Sequence, residues 1–131
     1  MYELSSPSVS KKQLILEIRG KVKISCDLKR HLSPRTVGTI MRSLPLEGNA
    51  HLMGNSILYF ETNVDSGTER ARSEFKKGDV AFLPSSGSIC FFINDVTSGK
   101  TMTPIGKLGD DVDVLKTVKS GDVFCIYEDT A

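Results

Sequence analysis

Leu14-Ile15-Leu16-Glu17-Ile18-Arg19-Gly20-Lys21-Val22-Lys23-Ile24-Ser25-Cys26-Asp27-Leu28 carries the clearest period in the chain. Leu14, Leu16 and Ile18 alternate with Ile15 and Glu17; beyond Arg19-Gly20, Val22, Ile24, Cys26 and Leu28 alternate with Lys23, Ser25 and Asp27. Successive side chains on a strand point to opposite faces, so this pattern predicts two half-buried strands joined by a tight turn. An antiparallel hairpin is therefore the expected opening of the fold.

Working outward, Ser33 before Pro34 reads as a helix start, with a capping hydroxyl and a proline where its missing N–H costs nothing. Val37, Ile40, Met41 and Leu44 fall on one helical face, and Pro45 ends the helix. Residues Leu46 to Gly54 read as a loop, and Ile57-Leu58-Tyr59-Phe60 as a strand buried on both faces. The polar stretch Asn63 to Lys77 is expected as an exposed loop or an edge hairpin. Val80-Ala81-Phe82-Leu83, closed by Pro84, and the run Ile89 to Ile93 predict a second hairpin. A short strand over Met102 to Lys107 follows, then one or two helical turns with Val114, Leu115 and Val118 inward and Gly121 at the C-cap. Val123-Phe124-Cys125-Ile126-Tyr127 closes the pattern as a last strand.

Seven or eight short strands with only two helical patterns predict a mainly β fold. Closure is the arrangement that removes exposed sheet edges, so a closed barrel of about eight strands, capped by two helices, is expected. At 131 residues the chain suits one core. Residues 1–12, serine-rich and without period, are expected as a flexible arm, and 13–131 as a single domain.

Seventeen lysines and arginines against sixteen acids leave no strong net field, which argues against nucleic acid or an anionic membrane surface as partner. The longest apolar run, Ile89 to Ile93, is too short to span a bilayer, and Met1 to Pro7 lacks the pattern of a signal peptide. A soluble cytoplasmic protein is the expectation. Cys26, Cys90 and Cys125 are an odd, widely spaced set inside apolar segments, which predicts buried thiols rather than disulfides or metal ligands.

Motifs for other chemistry are thin. His31 and His51 stand alone, without metal-binding spacing, so no metal is expected; His51, in a loop, is the better candidate to face a ligand. Asp110, Asp111 and Asp113 read as acids at a helix start rather than a calcium loop. Gly106 and Gly109 lack the spacing of a phosphate cradle, and no serine or cysteine sits in a nucleophile motif, so no cofactor is expected.

Taken in order, the segments resemble a cyclophilin. In that family an N-terminal hairpin leads into a helix beginning Pro-Lys-Thr-Ala, and this chain has Pro34-Arg35-Thr36-Val37. A later family strand, Gly-Ser-Gln-Phe-Phe-Ile, is similar to Gly87-Ser88-Ile89-Cys90-Phe91-Phe92-Ile93 with one residue added. Phe-Gly-Lys-Val and Asp-Val-Leu are similar to Ile105-Gly106-Lys107-Leu108 and Asp113-Val114-Leu115. Leu44-Pro45-Leu46-Glu47-Gly48, Gly54 before Tyr59-Phe60, and Gly78-Asp79-Val80-Ala81 before Pro84 resemble the compact cyclophilin-like proteins of bacteria and archaea in particular. The resemblance runs from Leu14 to Tyr127.

The resemblance implies a barrel, and it raises the question of peptidyl-prolyl cis-trans isomerase activity. The family's donor to the twisted amide is the arginine of a Phe-His-Arg motif, whereas the matching strand here reads Ile57-Leu58-Tyr59-Phe60-Glu61-Thr62. The chain has no tryptophan, Thr101 stands near the family's histidine, and Phe92 is the aromatic that matches the pocket. Arg70 and Arg72, in the polar stretch, are expected to be solvated. The reading is a non-catalytic barrel that binds a peptide or small ligand at an apolar patch of Phe60, Phe82, Phe92, Met102 and Ile105, with His51 at its mouth. A divergent isomerase and a structural or oligomer-forming protein are the alternatives, and barrel interiors fill with such apolar side chains in any case.

Overall fold

The opening alternation forms β1 (Lys11–Ile18) and β2 (Val22–Lys29) in the computed structural model, which describes residues 11–109 and 111–129. Leu14 pairs with Cys26, Leu16 with Ile24 and Ile18 with Val22, so both apolar rows face one side. Gly20 takes the left-handed backbone of the turn between them, with φ 78°. The remaining elements are α1 (Pro34–Ser43), β3 (Leu46–Asn49), β4 (His51–Met53), β5 (Ile57–Glu61), β6 (Arg72–Phe75), β7 (Asp79–Leu83), β8 (Ser88–Phe92), β9 (Val96–Leu108), a 3-10 turn (Val112–Thr117) and β10 (Val123–Glu128). The described residues are mainly β with two helical elements.

Strand count and closure differ from the expected closed barrel of eight. Among the described residues ten strands form the sheet, in the order β3-β10-β1-β2-β9-β7-β8-β5-β4, with β6 paired to β9 off this path. Among the described residues no ladder joins the end strands β3 and β4. They are instead consecutive in the chain, separated by Ala50, whose N–H donates to Asp122 at 2.6 Å and whose carbonyl accepts from Gly121 at 3.0 Å. Leu46 to Gly54, expected as loop, thus supplies two strands. Each is too short to display a period, and each pairs with a different neighbour. Residues 1–10 of the expected arm, and Asp110 of the acidic cluster, lie outside the described residues; Lys11 and Lys12 already belong to β1.

Two apolar clusters lie on opposite sides of β5, β7 and β8. The interior holds Leu14, Leu16, Leu58, Phe82, Ile105 and Ile126, with Val37 and Ile40 of α1 and Leu115 of the 3-10 turn. At its centre Phe124 meets Phe60 and Phe91 edge-on, at centroid distances of 5.8 and 5.4 Å. The outer cluster holds Ile57, Phe75, Ala81, Leu83, Cys90, Phe92 and Met102. Burial on both faces explains why β7 and β8 read as continuous apolar runs.

A bulge in β9 decides which residues go to which side. Val80 pairs with Gly106 but Ala81 pairs with Pro104, so Ile105 is the extra residue and turns inward while Met102 turns outward. Gly106 admits no side chain there: a Cβ would sit 2.0 Å from the Asp27 carbonyl oxygen on β2. Among the described residues no helix is long and apolar enough to cross a membrane.

Candidate functional site

The polar stretch between β5 and β7 builds the site. Thr62 anchors its start, donating through Oγ1 to the Gly87 carbonyl at 2.6 Å and accepting from the Val64 N–H at 3.0 Å. Val64 is buried. Further on, Glu69 reaches the first turn of α1, accepting from the Thr36 N–H at 2.9 Å and the Arg35 N–H at 3.2 Å. This overturns the expected cap. Ser33 makes no capping bond and instead donates, fully buried, to the Pro104 carbonyl at 2.7 Å. The orphan amides of a helix start donate to any well-placed carboxylate, and here it comes from a distant loop. Burial opposes ionisation of Glu69, but the bonds from Thr36 and Arg35 and the Arg35 charge outweigh it, holding the carboxyl below the usual glutamate range.

Held at Glu69, the chain turns through Arg70, whose left-handed φ of 49° lets its guanidinium donate to the His31 carbonyl at 2.5 Å. It then lies along β9 as β6, with Arg72 opposite Met102, Phe75 opposite Val96 and a register shift between Arg72 and Glu74. Phe75 stacks on Phe92 with centroids 4.5 Å apart and covers the outer cluster. The Arg72 guanidinium lies 4.9 Å above the Phe75 ring.

Beside this ribbon sits a buried carboxylate. Asp79 accepts from Lys107 Nζ at 2.8 Å, from the Lys76 N–H at 2.8 Å and from Arg72 at 3.4 Å. Its side chain is 3% exposed, whereas those of Arg72 and Lys107 are 45% and 54% exposed. An ionised carboxylate withdrawn from water needs such partners. Above it opens a cleft of about 930 Å³, lined among others by Lys29, His31, Arg72, Lys76, Thr101 and Lys107. The cleft thus has cations beside Asp79, a carbonyl-anchored histidine turn on one rim and Phe75 in its lining.

The expected apolar patch is not assembled at the surface. Phe60, Phe82 and Ile105 are fully buried in the interior, and Phe92 and Met102 are fully buried beneath Phe75 in the outer cluster. His51, on β4, packs against Tyr59 with ring centroids 5.3 Å apart and does not line the cleft. Arg72, expected as solvated, is pinned by Asp79 and Phe75. The strand that matches the family's arginine ends in Glu61, opposite Ser88. Asp79, Arg72 and Lys107 were not found as a group from sequence. The available signal was an acid opening a doubly buried strand, but its partner Lys107 follows only from the β7–β9 register.

Other reactive groups lie apart from the cleft. Burial pushes the Cys26 and Cys90 thiols up to about 12, which leaves them unreactive. Cys125 is half-buried, and desolvation raises its thiol despite the neighbouring Arg19. Among the described residues no group of three or more His, Cys, Asp or Glu side chains is placed to hold a metal.

Comparison with known proteins bears on the fold. The solution structure of the hypothetical protein AF2241 from Archaeoglobus fulgidus superposes with a TM-score of 0.77 at 22% identity, over 92% of this chain and 96% of that one. McbB, solved in complex with tryptophan, superposes with a TM-score of 0.73 at 16% identity, over 91% of this chain but 45% of McbB. No curated protein sequence matches. The family model described as cyclophilin-like matches residues 12–127, nearly the whole of the strand and helix pattern, and the chain belongs to the cyclophilin-like family.

Proposed function

We propose that this chain is a non-catalytic binding member of its family, which takes a peptide or small ligand in the cleft beside β6. The observation that carries the reading is Phe75. By stacking on Phe92 it fills the outer apolar face from within the chain, and beside it Arg72 and Lys107, both paired with Asp79, stand in a cleft lined mostly by polar and charged side chains. Concave sites fix a ligand's orientation through polar groups held in place, and Asp79 holds Arg72 and Lys107 in this way. Phe92 and Met102 then act as the floor that holds Phe75 in place.

Isomerase chemistry needs a seat for the proline ring and a donor that favours the twisted amide over the planar one. Here Phe75 occupies the face over Phe92, and β5 offers Glu61 instead of an arginine. Arg72 lies on that face and makes a divergent isomerase the second reading. Its guanidinium is already engaged by Asp79 and the Phe75 ring. Exchange spectroscopy on X-Pro peptides separates the two: the proposal expects cis/trans exchange at the uncatalysed rate with protein present. Acceleration that Arg72→Gln abolishes would replace the proposal with the isomerase reading.

A further inference from the structure

The charges around Asp79 point to the class of ligand, on the reading that the cleft is a binding site. We infer that the ligand presents a carboxylate, or another oxyanion with two accepting oxygens such as phosphate, to Lys107 and Arg72 beside Asp79 in the cleft. Asp79 is the one buried charged residue among the described residues. It takes one donor from the Lys107 ammonium and one from the Arg72 guanidinium, groups that carry three and five N–H donors respectively. Both cations stay about half exposed on the cleft rather than being buried with their partner.

This arrangement fixes two cationic heads in place while leaving them open to solvent. Asp79 holds the ammonium, and the Phe75 ring lies under the guanidinium with its centre 4.9 Å from Cζ; the planar fork of that group suits a two-oxygen anion. Lys29 and Lys76 add positive charge to the lining. The lining's other acids are Glu74 and Asp95. Glu74 lies past the register shift, opposite Thr97, and Asp95 accepts from the Lys77 N–H at 2.8 Å. Four cations, Lys29, Arg72, Lys76 and Lys107, thus stand against three acids, Glu74, Asp79 and Asp95, and the lining is left net positive for an anion.

The test uses the labelled full chain and three probes: acetyl-Ala-Ala-Pro-Phe as the free acid, the same peptide as its C-terminal amide, and inorganic phosphate. The acid is expected to shift the Arg72 and Lys107 amides and to bind at least tenfold tighter than the amide. Lys107→Gln is expected to remove that tenfold difference between acid and amide. Lys107 is half exposed, and Arg72→Gln provides the same test should the first variant fold poorly. Phosphate that displaces the acid, or that binds the cleft alone, supports the same anion position and names phosphate as a source. Acid and amide binding equally in the cleft would overturn the anion inference while leaving the cleft reading standing. Absence of cleft shifts with all three would overturn both.

Discussion

Phe91 and Phe92 are neighbours on β8, and both are fully buried, yet they belong to different halves of the molecule. Phe91 lies in the interior, against Phe60 and Phe124, where the main ladder and α1 enclose it. Phe92 faces outward and owes its burial to β6, a four-residue strand that pairs with β9 through a shifted register. The interior is therefore a property of the whole sheet, and the outer half a property of one short ribbon. Local opening concentrates where cover is thinnest, and so do ligand sites. In this chain the thin cover and the charged cleft coincide.

The interior loses most by substitution at Phe91. Phe91→Ala is expected to cost about 3–5 kcal/mol, the range for a large aromatic removed from a tight interior. Urea denaturation measures it; a loss smaller than that of Phe75→Ala would show that the two halves have been ranked wrongly. Phe75→Ala is expected to cost less, about 2 kcal/mol, because water from the cleft can fill part of the space. Hydrogen exchange sharpens this. Amides of β6 and the first half of β9 should lose protection while β1 and β2 keep theirs, and an even loss across the sheet would contradict the division.

Glu69 ties the ribbon's leader to α1, so Glu69→Gln is expected to cost about 1 kcal/mol at neutral pH, as for loss of a helix cap. Because the folded carboxyl is held below its ordinary value of 4.5, its stabilisation is complete above that pH and is lost as pH falls through the lower folded value. The wild-type and variant stability curves should therefore converge in acid, and parallel curves would show that the charge of Glu69 is idle. Arg72→Gln is the smallest change, under about 1 kcal/mol, since its pairing is half exposed to solvent. Its effect on ligand binding should exceed its effect on stability.

Sequence made the interior half legible and left the outer half dark, for physical reasons. β1, β2, α1 and β10 each bury one face and so display a period, and the runs of β7 and β8 display burial on both faces. β3, β4 and β6 have four, three and four residues, too few for a period to emerge from polar surroundings. Residue type marked Phe82, Met102 and Ile105 as apolar but not the side each would take. The bulge at Ile105 reverses the inward and outward positions along β9, and nothing local in the sequence announces it. The charged group was out of reach for a related reason: Asp79 is 7 residues from Arg72 and 28 from Lys107, and only strand pairing brings them together.

The most direct test of the account is a crystal structure of the protein bound to acetyl-Ala-Ala-Pro-Phe free acid. The account predicts the peptide in the cleft beside β6, its carboxylate within hydrogen-bond reach of Lys107 and Arg72, and Phe75 still stacked on Phe92. A proline ring seated on Phe92 with Phe75 displaced, or the peptide held instead at His51 and Tyr59, would contradict it.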